Sequence, residues 1–392
     1  MNPVICSIAR TPIGRFNGAY TPLTAMDLGG VAIAAALERA GIDGSQIDEV
    51  IFGHVLQAGQ GQITSRQAAV NGGIPMSVPA TTINKVCLSG MTAIQEAANH
   101  IRLGESKFVV AGGMESMTNA PHVLPGSRAG FKMGDATLVD TMLHDGLFCA
   151  FDSCMMGESS DTKNDELGIG REDQDVWSEM SHVRAAAATD SGAFANEIAP
   201  VTVAQRRGND VIVTEDEGIR RETTMASLGK LRPAFNPEGT ITAGNASQIS
   251  DGAAAVVVAD RKAAEAAGLP IVAEIVSYGQ VAGPDATLHE RPAEAIKVAL
   301  KRSDLSIDDI DLFEINEAFA SVAMHSAGML DIDRDKVNIH GGAVALGHPL
   351  GATGARLIVT LINALQTTGG TLGAGALCGG GGQGDAMIVR MV

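Results

Sequence analysis

The chain is poor in aromatic residues, at 3% of 392 positions with a single Trp (Trp177) and two Tyr. Its core therefore has to come from close approaches of small residues rather than from large rings. Net positive charge is absent as well: the formal charge is −17, which excludes nucleic acid or an anionic membrane surface as the main partner, because both need a basic face. No apolar run nears the roughly 20 residues that span a bilayer. The first ten residues hold neither a basic n-region nor a long apolar h-region, so they are expected to form a first strand and not a signal peptide. Cysteines are few and unframed: Cys6, Cys87, Cys149, Cys154 and Cys378 make an odd set without a repeat, as expected for reduced thiols in a cytoplasmic protein. His144, Cys149 and Cys154 contain no CxxC pair and match no common zinc spacing, so they are read as packing residues and no metal is expected.

What is present is a folded, glycine-rich chain, with 47 Gly, 45% hydrophobic and 19% charged residues. The sequence is organised around Asn84-Lys85-Val86-Cys87-Leu88-Ser89-Gly90-Met91. A strand at 80–83 runs into a tight turn, and a helix begins at or just after the cysteine, with Met91, Ile94, Ala98 and Ile101 on one face and Gly104 as its stop. The partial positive charge at a helix N-terminus favours a thiolate, so the position predicts a Cys87 pKa below its free value of about 8.5.

Strands also fall at 49–53 and 108–113 and helices at 28–40 and 64–70, an alternation that implies layered α/β architecture. The last third repeats the grammar, with a helix at 292–300, a strand at 310–315, a helix at 316–327, a strand at 337–339 and a helix at 355–365. Two closing strands follow, around Gly375–Cys378 and Ala386–Val389. Phe52 and Phe313 lie 261 residues apart, as do Cys87 and His348. This register predicts two copies of one fold, each giving a strand-to-helix turn to a shared site. The expected division is 1–117 with 249–270 as the N-terminal half, 118–248 as an inserted loop domain, and 271–392 as the C-terminal half.

Three further segments carry chemistry. Glycines crowd His348 in Asn338–Gly354, without the Gly-Lys-Ser/Thr signature of a phosphate loop or a dinucleotide fingerprint. Cys378-Gly379-Gly380-Gly381-Gly382-Gln383-Gly384 sets a second cysteine beside bare backbone N–H groups able to bind an oxyanion. Asn316-Glu317-Ala318-Phe319-Ala320 follows a strand, and Asn316 either caps the next helix or serves the site.

Together with Arg10-Thr11-Pro12, Gly112-Gly113-Met114-Glu115-Ser116-Met117 and Gly244-Asn245-Ala246-Ser247, these four blocks in order resemble the thiolase family over essentially the whole chain. The resemblance implies a duplicated, five-layered α-β-α-β-α fold with an inserted loop domain. It also implies acetyl-CoA C-acetyltransferase chemistry, in which two acetyl-CoA condense to acetoacetyl-CoA and CoA, or the reverse. By the same resemblance Cys87 carries the acyl group, His348 activates it, and Cys378 moves the proton. Asn316 (through a water) and His348 hold one thioester oxygen, while the N–H groups of Cys87 and Gly380 hold the other. Coenzyme A thioesters are the substrates, with no permanently bound cofactor, and Arg220, Ser247, Phe235, Met156, Ala318 and Phe319 line their site. A homotetramer or dimer is implied, with tetramer contacts from part of 118–146. Two departures bear on chain length: Met155-Met156-Gly157 stands where many biosynthetic members have His-Met-Gly, and Leu288-His289-Glu290-Arg291-Pro292 where many have Met-Gly-x-Gly-Pro. The alternatives are a degradative 3-ketoacyl-CoA thiolase of broader chain length and, in another class, a non-catalytic acyl-CoA or lipid carrier.

Overall fold

A computed structural model describes residues 2–392; Met1 of the expected first strand lies outside them. Nine strands of the main sheet are β1 (Pro3–Arg10), β2 (Glu49–Gly53), β3 (Ala80–Ile83), β4 (Phe108–Ser116), β5 (Ser250–Asp260), β6 (Ala273–Ala282), β7 (Leu312–Ile315), β8 (Leu372–Gly379) and β9 (Gln383–Met391). Their spatial order is β7-β8-β9-β6-β1-β5-β4-β2-β3, and Gly14–Arg15 adds a short tenth strand beside β5. Pairing is parallel for β2 with β3, β2 with β4, and β7 with β8. The pairs between β4 and β8 through the middle are antiparallel. The two halves meet at a seam of only two residue pairs, Val4 with Glu274 and Ile5 with Ala273.

The layers follow from period-two alternation. On β5, Ala254, Val256 and Val258 enter a central core, while Ala253, Ala255, Val257 and Ala259 enter an outer one. On β9, Met387 and Val389 face the same central core, and Ala386 and Ile388 a third. The outer cores are closed by helices α1 (Ala25–Ala40) on one side and α3 (Arg291–Ser303) on the other. The central core is filled by α2 (Ser89–Leu103) and α4 (Leu350–Thr368). Helix, sheet half, paired helices, sheet half, helix make five layers.

The duplication is visible in these bounds: α2 and α4 begin at residues 89 and 350, again 261 apart. Their close crossing depends on glycine, since a Cβ on Gly90 would meet the Ala355 backbone nitrogen at 2.8 Å, and one on Gly354 would collide with Met91. Between Met117 and Ser250 the chain leaves the sheet and builds short hairpins, two long helices, Met156–Leu167 and Arg171–Asp190, and a short one, Met225–Leu228.

Two expected elements are corrected. The strand at 337–339 is reduced to one bridge, Phe313 with Val337. Asn338 adopts φ 48°, and its side chain instead pairs with β7, accepting from Ile315 N and donating to Ile315 O, both at 2.8 Å. The helix expected from Asn316 starts only at Ala320, because Glu317 is drawn inward by four donors, described below.

Candidate active site

Cys87 sits on a turn held by side-chain bonds. Asn84 Oδ1 accepts from Val86 N at 3.0 Å, and Ser89 Oγ accepts from Lys85 N at 2.8 Å while donating to Val86 O at 2.6 Å. Val86, β-branched, is thereby kept at φ 50°, a conformation such residues avoid unless their surroundings enforce it. Helix α2 starts two residues beyond Cys87, at Ser89. The expected lowering of the thiol pKa is corrected: burial pushes Cys87 up to about 11, and Glu115 adds to this, against hydrogen bonds from the N–H groups of Gly380 and Cys87 itself. Loss of hydration outweighs the helix end, so the resting group is a thiol.

His348 is anchored through its backbone N–H, which is shared between Gln248 O at 3.1 Å and Ser250 Oγ at 3.2 Å. Its Nδ1 lies 2.7 Å from Thr353 Oγ1, whose own proton goes to Pro349 O at 2.9 Å. Thr353 must then accept, so Nδ1 carries the hydrogen and Nε2 presents a lone pair. Nε2 has no partner among the described residues. Burial, with Arg356 nearby, lowers the imidazole pKa to about 3, so it is neutral. With the ring neutral and Nε2 bare, His348 can accept a proton, but its low resting basicity requires transfer from Cys87 to go together with attack on the carbonyl.

Cys378 is the last residue but one of β8 and is 1% exposed. Burial, then the neighbouring Cys87, pushes its thiol far above the ordinary range. The following hairpin needs left-handed backbone at Gly381 (φ 79°) and Gly382 (φ 69°). Cys87, His348, Cys378 and Gly380 line one small cavity of about 60 Å³, with Val86, Leu147, Met156, Ser247, Leu288, Ala318, Phe319 and Leu350 also on its walls.

Asn316 lines neither this cavity nor the larger one beside it. It does not cap a helix; its N–H donates to Ala376 O at 2.9 Å, and both amide atoms are buried without partners among the described residues. Next to it, Glu317 accepts from Trp177 Nε1 at 2.9 Å, Ser181 Oγ at 2.8 Å, Asn338 Nδ2 at 2.9 Å and Val344 N at 3.0 Å. This carboxylate ties the helix Arg171–Asp190 to the loop leading to His348. In the other half Glu115 plays a matching part, accepting from the N–H groups of Val55, Leu56 and Gly351.

The small cavity shares Leu147, Met156, Ser247, Ala318, Phe319, His348 and Leu350 with a larger one of about 520 Å³. All six side chains expected around a coenzyme A thioester line the larger space: Arg220, Ser247, Phe235, Met156, Ala318 and Phe319. Phe235 and Phe319 meet edge to face with centroids 6.2 Å apart, and Ser247 N donates to Ala318 O at 3.1 Å. Arg220 is exposed and also borders a third cavity of about 260 Å³, with His182, Ser227 and Leu228. Sequence reasoning missed Thr353, Leu147 and Leu350, and took no account of the bonds Glu317 makes. Among the described residues no group of three or more His, Cys, Asp or Glu is placed to hold a metal ion, and no helix is long and apolar enough to cross a membrane.

The chain has relatives among known proteins over its whole length. Residues 3–262 match the thiolase N-terminal domain model and residues 269–391 the thiolase C-terminal domain model. A probable acetyl-CoA acetyltransferase of Mycolicibacterium smegmatis is 50% identical over 387 residues, covering 99% of this chain and 100% of that protein. An acetyl-CoA acetyltransferase of Cupriavidus necator is 47% identical, covering 99% and 98%. The crystal structure of the Bacillus anthracis acetyl-CoA acetyltransferase superposes with a TM-score of 0.97 at 39% identity, covering 100% of this chain and 99% of that one. By sequence and by architecture, the chain belongs to the thiolase family.

Proposed function

We propose that the protein is an acetyl-CoA C-acetyltransferase, condensing two acetyl-CoA to acetoacetyl-CoA and CoA and catalysing the reverse thiolysis. The observation that carries this reading is the convergence of Cys87, His348, Cys378 and Gly380 on one cavity of about 60 Å³ at the end of a larger one. As Cys87 attacks the acetyl carbonyl, His348 Nε2 takes its proton and passes it to the departing CoA sulfur. The N–H groups of Cys87 and Gly380 stabilise the oxyanion. Once CoA has left, His348 Nε2 takes the thiol proton of Cys378, and the Cys378 thiolate removes a proton from the methyl group of the second acetyl-CoA. The resulting enolate, its oxygen held by the Nε2–H that His348 now carries and by Asn316 through a water, attacks the acyl-Cys87 carbonyl, and the released Cys87 sulfur takes the proton back from His348. Because the resting thiol is protonated, activation and attack are coupled, and ping-pong kinetics follow.

The acyl end of the site is small, with Leu288 on its wall and Leu147 and Leu350 where it meets the larger cavity, which favours acetyl over longer chains. The larger cavity suits a pantetheine arm, and the space at Arg220 and His182 suits the nucleotide end. We assign these contacts to a loop domain at 118–248, set between halves formed by 1–117 with 249–270 and by 271–392. A homotetramer or dimer in the cytoplasm completes the reading.

Intact-protein mass after brief incubation with acetyl-CoA, followed by peptide mapping and a thiolysis assay, tests it. An acetyl adduct on Cys87 with rapid cleavage of acetoacetyl-CoA is expected. Cys87→Ser should fold and form no adduct, and Cys378→Ala should acylate and fail at condensation. Folded protein that binds CoA but gives neither adduct nor cleavage would instead be a carrier.

A further inference from the structure

Asp385 interrupts an apolar row. On β9 the residues facing the central helices are Asp385, Met387 and Val389, and Asp385 lies directly opposite Leu377 on β8; the three others belong to the central core. Asp385 is 1% exposed, a place where an ionised carboxylate is unfavourable unless it is paired and hydrogen-bonded. Both conditions are met. Its two oxygens accept from Lys85 Nζ at 2.8 and 2.9 Å, and Oδ2 accepts from Thr92 Oγ1 at 2.9 Å.

The positions of the three residues give the network its meaning. Lys85 is two residues before Cys87, and Thr92 is in the first turn of α2, so the carboxylate grips the nucleophile turn on both sides. Asp385 stands next to Gly384, the residue paired with Cys378. Among the described residues, Lys85 with Asp385 is the only ion pair between residues 2–117 and residues 271–392. The two turns already abut there: a Cβ on Gly379 would come within 2.6 Å of Leu88 Cγ. The Cys87 turn also holds Val86 at φ 50°, so without an external hold it has reason to relax.

We infer that Lys85, Asp385 and Thr92 form a positioning clamp that sets the spacing between Cys87 and the hairpin bearing Cys378 and Gly380. The inference rests on the proposed roles of those groups. The clamp touches neither substrate nor reacting atoms; it acts by keeping the Gly380 N–H on the Cys87 sulfur and the two thiols in working reach. Displacement of catalytic groups by about 1 Å can cost on the order of 10²-fold in rate, while the thioester cavity, built from other segments, keeps its shape.

The test measures kcat and KM for thiolysis of acetoacetyl-CoA, together with thermal stability, in Asp385→Asn, Thr92→Val and the double variant Lys85→Met/Asp385→Leu. Asp385→Asn is expected to lose roughly 10- to 100-fold in kcat with KM nearly unchanged, and Thr92→Val about threefold by the same route. The double variant replaces the charges with apolar groups of similar size, so it should regain stability and still lack kcat, which a merely structural pair would not do. Parent-like kcat in the double variant, or losses that track the folded fraction alone, overturns the clamp. If Asp385→Asn does not fold, the double variant and Thr92→Val decide in the same way. The parent enzyme, assayed for the Cys87 acetyl adduct, separates the two failures: no adduct in the parent defeats the proposed function, whereas an adduct with a fully active double variant defeats only the clamp.

Discussion

Thr353 accepts the Nδ1 hydrogen of His348 at 2.7 Å because its own hydroxyl hydrogen is committed to Pro349 O. One hydroxyl therefore decides which ring nitrogen of His348 is the base. Thr353→Val preserves shape and removes this choice. We expect kcat to fall by about 10²-fold, the low end of what a positioned general base contributes, with a stability loss of only about 1 kcal/mol for the hydrogen bond. Steady-state thiolysis and urea denaturation check both numbers. A parent-like kcat would mean that the tautomer is set elsewhere.

The buried Cys87 thiol, raised to about 11, makes a prediction about pH. Below that value the thiolate fraction grows about tenfold per pH unit. Alkylation of Cys87 by iodoacetamide, followed by peptide mass, should accelerate steadily from pH 7 to pH 9. A rate that levels off below pH 8 would reveal a stabilised thiolate and contradict the dominance of burial.

Glu317 answers four donors from two separate segments. Glu317→Ala takes the acceptor from all four, and an expected loss of about 3–5 kcal/mol follows from breaking such a buried charged network. Equilibrium unfolding in urea measures it. A loss below about 1 kcal/mol would show that water replaces the carboxylate at no great cost.

Leu288 is the wall residue most open to a chain-length test. Leu288→Ala enlarges the cavity around the two cysteines, and the ratio of kcat/KM for 3-ketohexanoyl-CoA to that for acetoacetyl-CoA should rise about tenfold, within the range a hydrophobic pocket gives for small size differences. An unchanged ratio would move the limit on chain length to Leu147 or Leu350.

Much of this was legible in the chain because strong local patterns coincide with function. The duplicated register survives since α2 and α4 start at equivalent points, and the glycines around His348 and Cys378 mark backbone that has to bend or approach closely. The sequence misled where a long-range partner took over from local preference. Asn316 has the look of a helix cap, yet Glu317 beside it answers Trp177 and Ser181, more than 130 residues away, and the helix waits until Ala320. Residues 337–339 have strand propensity, but the Asn338 side chain substitutes for the strand by binding Ile315 itself. Cys87 stands near a helix N-terminus, and only three-dimensional burial shows that dehydration prevails. Thr353 and Asp385 carried no local signal, since their importance lies in which atoms they meet across the fold.

The seam at Val4 and Ile5 has a consequence for how the molecule is made. Strand β1 is buried along its entire length, and its two neighbours are β5 and β6, which begin at Ser250 and Ala273. On a ribosome adding about 5–20 residues per second, β1 waits on the order of ten seconds or longer for either partner. Throughout that interval an apolar stretch with unpaired backbone is exposed to solvent and to other nascent chains. Closure of this part of the sheet is therefore late and long-range.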